Sequence, residues 1–139
     1  MIKLLTYTSS RNKFLEFNFK EVSINYNENY NWVEVQSPKQ YAVFNENSFL
    51  AYDDEIYKRD LDIGWGWMNQ DYIQSIYKYN NAALVICSQS DMPLCVLYGK
   101  DICLRKKVNN YIELEIDGKK VYLYNFHFMT LSRIHKEEQ

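Results

Sequence analysis

The sequence predicts an α+β fold: a mostly antiparallel sheet of many short strands packed on one principal helix at about residues 70–79. Three observations carry this reading. Residues 111–128 hold two alternating runs, YIELEI and KKVYLYNFHF, joined by Asp117-Gly118. A type I′ turn needs φ > 0 at both central residues, which Asp and Gly tolerate, so this is a C-terminal β-hairpin. Much of the remaining chain alternates apolar and polar residues with a period of two. Only one stretch has helical spacing: Met68, Tyr72, Ile73, Ile76 and Tyr77 fall close to one face, Asn69 can cap them, and Asn80-Asn81 ends them.

In chain order, residues 2–8 form a short apolar run that suits an opening strand. Leu15, Phe17 and Phe19 alternate with Glu16 and Asn18, and Val22, Ile24 and Tyr26 alternate with Ser23 and Asn25. With Lys20-Glu21 between them, these two runs read as a hairpin or as one long bent strand. Residues 27–31, within a cluster of asparagines at 25, 27, 29 and 31, read as a loop, because Asn tolerates left-handed backbone. Residues 32–35 return to strand character, and Pro38 stops them. Residues 41–44 and 49–52 flank a four-residue loop at 45–48 and read as a hairpin. The apolar run 82–87 suits a central strand. Residues 94–98 and 102–108 flank Gly99-Lys100-Asp101, a second hairpin signal. In the C-terminal hairpin a two-residue loop sets Leu114 opposite Val121, Ile112 opposite Leu123, Glu115 opposite Lys120 and Tyr111 opposite Tyr124. The tail turns charged after Ile134 and reads as a fraying end or a short helix.

At 139 residues the chain is expected to be a single domain over 1–139. With 47% hydrophobic and 17% aromatic residues it has the material for a core. Gly is scarce, so Asn and Asp are expected to build the turns. The net charge of −2 argues against nonspecific nucleic-acid binding, which needs a basic face. No run approaches the length of a membrane span, and residues 1–10 lack the apolar stretch of a secretory signal. Cys87, Cys95 and Cys103 lie in apolar runs, as free buried thiols of a cytoplasmic protein would.

Motifs for chemistry are sparse. His127 sits in a strand between phenylalanines, and His135 lies in the polar tail. The cysteines are spaced by eight, not as a metal-binding CxxC. There is no phosphate loop, nucleophile elbow or HExxH motif, and nothing calls for a cofactor or a metal. Glu113 and Glu115 share a strand face and could hold Mg²⁺ in a metal-dependent nuclease, although Lys120 gives that face an ordinary cross-strand explanation. The stretch 49–72 combines Asp53, Asp54, Glu55, Asp60 and Asp62 with Tyr52, Tyr57, Trp65 and Trp67. Acidic groups steer a basic partner and rings anchor it. The expected binding residues are therefore Asp53, Asp54, Asp60, Asp62, Trp65 and Trp67, and the expected partner is a protein with a basic surface. The leading expectation is a non-enzymatic protein-interaction or inhibitor module. A toxin-neutralising immunity protein or a mobile-element counter-defence factor would both suit. A nucleotide- or sugar-binding protein, with the tryptophans stacking on the ligand, is the alternative.

Overall fold

The structure, a computed structural model, describes residues 1–8, 13–45, 47–61, 84–89, 93–130 and 134–136. Every regular element in them is a strand. The strands are β1 (Ile2–Thr8), β2 (Lys13–Phe19), β3 (Ser23–Asn27), β4 (Trp32–Gln36), β5 (Tyr41–Phe44), β6 (Ser48–Asp53) and β7 (Lys58–Asp60). They continue with β8 (Leu84–Cys87), β9 (Pro93–Leu97), β10 (Ile102–Val108), β11 (Tyr111–Ile116), β12 (Lys119–Tyr124), β13 (His127–Met129) and β14 (Ile134–Lys136).

This overturns the α+β expectation: the described residues form an all-β arrangement without a helix. The stretch 70–79, where the helix was expected, lies outside the described residues. The physical reason for the correction is in the packing. A seven-stranded sheet, in the order β14-β10-β11-β12-β6-β1-β2, packs each of its faces in part against another sheet, so the described core is built from strands on strands. One face packs on a four-stranded sheet, β13-β8-β9-β7, through Leu5, Leu50, Leu84, Ile86, Leu97, Leu114 and Leu123. The other packs on a three-stranded sheet, β3-β4-β5, through Leu4, Tyr26, Val33, Phe49, Tyr111 and Tyr124.

The central strand explains its own sequence. Phe49 and Ala51 of β6 enter one core, Leu50 and Tyr52 the other, and all four are buried. A strand covered on both sides reads as a continuous apolar run. The same logic holds for β8, where Leu84 and Ile86 face the larger core while Val85 and Cys87 form a further cluster with Leu61 and Val96.

The C-terminal hairpin has the expected register, with Leu114 opposite Val121, Ile112 opposite Leu123, Glu115 opposite Lys120 and Tyr111 opposite Tyr124. Asp117 and Gly118 both have positive φ, at 51° and 80°. The hairpin stops at Tyr124, however, and does not run to 128. Asn125 takes a φ of 57°, its N–H donates to the Asn110 carbonyl, and the chain leaves to pair β13 with β8. That turn breaks the alternation, which continued unbroken would have set His127 on the face of Val121 and Leu123. Phe126 fills the larger core instead, and His127 stands opposite Cys87.

Two further hairpin readings are corrected. Strand β5 pairs with β4 and β6 with β1 and β12, so 45–48 is a passage between sheets. Likewise β9 pairs with β7 and β8, and β10 with β11 and β14, so 99–101 is another crossing. Neighbouring β2 and β3 are not a hairpin either; the bend at Lys20-Glu21 moves the chain from the large sheet to the small one. The tail is neither frayed nor helical at 134–136, where β14 runs parallel to β10.

Candidate functional site

The acidic stretch begins where β6 ends. Asp53 is half-buried there, and its carboxylate accepts the Glu55 N–H at 3.0 Å. The Asp53 carbonyl accepts the Ile56 N–H at 3.0 Å, which closes a tight turn. Ile56 points into the larger core and is 5% exposed. A buried apolar anchor between two acidic positions holds the turn against the body. The next residue, Tyr57, is 67% exposed, and its ring lies against Tyr98 at 5.3 Å between centroids. Its carbonyl accepts the Tyr98 N–H at 3.1 Å. The turn thus presents an aromatic ring on a fixed backbone among carboxylates.

Of the expected binding residues, the structure brings Asp53, Asp54 and Asp60 into this region. Asp54 lies 3.4 Å from the Met1 ammonium, and its N–H donates to the Met1 carbonyl at 2.9 Å. Asp60 meets Lys58 at 2.6 Å. The Met1–Asp54 pair is partly exposed and Asp60 is 69% exposed, and such surface pairs stabilise a fold by little. Glu55 forms no ion pair among the described residues. Asp62, Trp65 and Trp67 lie outside the described residues. Of the two tyrosines read into the same stretch, Tyr52 is 3% exposed and belongs to the core, where burial pushes its phenol pKa well up. Tyr57 is the ring that faces solvent, and the sequence reading did not single it out. The available signal was the apolar pair Ile56-Tyr57 at a turn, where one side chain goes inward and the other must stay out.

The other candidates for chemistry are absorbed by structure. Cys87 and Cys95 are buried and Cys103 is half-buried, none in a disulfide. Burial pushes the Cys95 thiol up to about 12, which keeps it protonated and a poor nucleophile near neutral pH. Glu113 accepts a hydrogen bond from the Tyr111 hydroxyl, and Glu115 holds Arg105 at 2.7 Å. Lys106 stands opposite Glu113 and Lys120 opposite Glu115. That checkerboard borders an open depression and is what cross-strand pairing favours on a wet sheet face. Among the described residues no group of three or more His, Cys, Asp or Glu side chains is placed to hold a metal ion. No helix among them is long and apolar enough to cross a membrane.

A polar cluster at one end of the sheets is likewise structural. The Tyr124 hydroxyl donates toward the carbonyls of Asn31 at 3.2 Å and Asn45 at 3.0 Å. The Asn109 amide donates to the Tyr26 hydroxyl at 2.9 Å, and Tyr26 stacks on Tyr111 at 5.0 Å. Buried phenols need partners, and the asparagine turns supply them. Comparison with known proteins adds no relative: no protein family, curated protein or solved structure matches the chain.

Proposed function

We propose that the chain is a protein-binding module that engages a partner with a basic surface, in the manner of an immunity protein or a counter-defence inhibitor. The observation that supports this is the turn between β6 and β7. It offers an exposed Tyr57, backed by Tyr98, with Asp53, Asp54, Glu55 and Asp60 around it. The carboxylates speed encounter with a basic surface, while a ring on a held backbone gains contact area at small entropic cost. Asp62, Trp65 and Trp67 enter the proposal from the sequence alone. A reducing compartment such as the cytoplasm suits the free cysteines, two of them buried.

The test begins with capture of proteins from cells that carry the gene, using the purified chain and its variants as bait. It continues with association kinetics on the purified partner. Glu55→Lys reverses a charge without touching the hydrogen bonds of the turn, so it should slow association and flatten its salt dependence. Tyr57→Ala should speed dissociation by about tenfold or more, as loss of an interface anchor does. A partner whose binding is indifferent to both changes removes this turn from the interface and the proposal with it.

A further inference from the structure

A second surface lies away from the acidic turn, where the small sheet ends over the large one. Among the described residues, strand β5 is an edge of the three-stranded sheet, and β2 is an edge of the seven-stranded sheet. Side chains there face the space between the sheets and yet meet solvent. Phe17 stands opposite Leu4, which is in the core between these sheets, and so shares its face; Phe17 is nevertheless 47% exposed. Ala42 stands opposite the buried Val35 and is exposed as well. Between them runs an apolar groove of about 110 Å³, lined chiefly by Leu4, Phe17, Phe19, Val35, Ala42 and Phe44. Its volume admits about one apolar side chain.

The outward face of the small sheet supplies the second observation. Glu34 stands opposite Val43 of β5. Its carboxylate accepts from the Asn27 amide at 3.3 Å and the Tyr41 hydroxyl at 3.2 Å, neutral donors that leave its charge in place. Among the described residues no cation pairs with it. Around it stand Tyr41 and Val43, 59% and 37% exposed, and Tyr30, 65% exposed and stacked on Trp32 at 4.5 Å. The edge itself, Tyr-Ala-Val-Phe, has no Lys, Pro or bulge within it to keep another strand away.

We propose that the free edge of β5 receives an extended segment of a partner protein as a fourth strand, with an apolar side chain in the groove and an arginine or lysine over the outer face toward Glu34. Successive side chains of a strand point to opposite faces, so one segment with alternating apolar and basic residues meets both features. The added strand would lie two strand spacings, roughly 10 Å, from β4, within reach of a long basic side chain crossing Val43. Charge favours this occupant over a second copy of the chain, whose own β5 is uncharged and would bring another Glu34.

The probes are two peptides, acetyl-Thr-Val-Arg-Val-Thr-amide and the same sequence with Glu for Arg, titrated into ¹⁵N-labelled protein. The Arg peptide should shift the amides of Tyr41–Phe44 and Phe17 and bind about fivefold or more tightly than the Glu peptide. Glu34→Gln should erase that preference and keep the same shifted residues. Equal affinity for the two peptides, or no binding at millimolar concentration, overturns the proposal. Shifts confined to 53–60 also overturn it while leaving the acidic turn as a basic-peptide site. Sedimentation showing a dimer that Val43→Lys disperses assigns the edge to a second copy and overturns it too.

Discussion

The hairpin β11–β12 and the rim formed by β2 and β5 are built from similar residues and end in opposite states. In the hairpin Ile112, Leu114, Val121 and Leu123 are at most 4% exposed, under the four-stranded sheet. At the rim Phe17 is 47% exposed and Ala42, opposite the buried Val35, is exposed as well, although both lie on regular strands. Composition does not separate them; position in the sheet does. Strand β12 sits between β11 and β6, with a neighbour on each side, and the sheet beneath it is wide enough to cover it. Strands β2 and β5 are last in their sheets, and no described strand covers what they leave open. The difference teaches that apolar residues on this chain become core only where a second sheet extends over them. Where it stops, the same residue types stay exposed to solvent.

The largest effect should come from the closed region. Leu123→Ala removes a fully buried side chain from the main core and should cost about 2–5 kcal/mol by cavity formation. Urea unfolding checks this, and a cost below about 1 kcal/mol would mean that the hairpin is less enclosed than described.

A smaller effect is expected at Asp117, where the hairpin turn meets the crossing at 99–101. The Asp117 carboxylate accepts the Asp101 N–H at 2.9 Å and the Lys100 N–H at 3.2 Å. These bonds hold its pKa below the ordinary carboxylate value, the Asp101 bond most of all. A depressed carboxylate stabilises the fold above its unfolded pKa, and that contribution is lost as pH falls through the folded pKa. Asp117→Asn keeps a residue that tolerates positive φ and should cost about 1 kcal/mol at neutral pH. The gap to the wild type should narrow below about pH 4. A gap that widens on acidification would contradict the assigned bonds.

The smallest effect belongs to the rim. Phe17→Ala should cost less than about 1 kcal/mol, because the ring is already half in water. If thermal unfolding shows it to be as costly as Leu123→Ala, the groove is closed in solution and the comparison fails.

What the residues disclosed about the fold follows from the same contrast. Asp117-Gly118 gave the hairpin and its register because the turn demands positive φ at both positions, a local property written in two residues. Gly99-Lys100-Asp101 resembled it and misled. A Cβ at Gly99 would lie 2.1 Å from Ile116 Cγ2, so this glycine serves close approach to a distant strand, not a turn. Such a need is visible only after the strands are placed. Asn125 concealed itself in an alternating run, and its positive φ ended the strand at Tyr124, four residues short of the expected end at 128. At the candidate site the acids were legible as charge, but Tyr57 was not separable from Tyr52 until burial divided them. The α+β reading rested its helix on 70–79, outside the described residues, while the described residues follow the period-two pattern and form strands throughout.

Native-state hydrogen exchange of the free protein tests the central contrast most directly. The amides of Phe49, Leu50, Ala51 and Tyr52 lie between paired strands in the doubly covered centre and should exchange only through global unfolding. Amides of β5 that point away from β4 should exchange faster by about two orders of magnitude or more, since nothing described pairs with that edge. Protection of those β5 amides equal to that of β6 would contradict the account, because it would show that the rim is already closed.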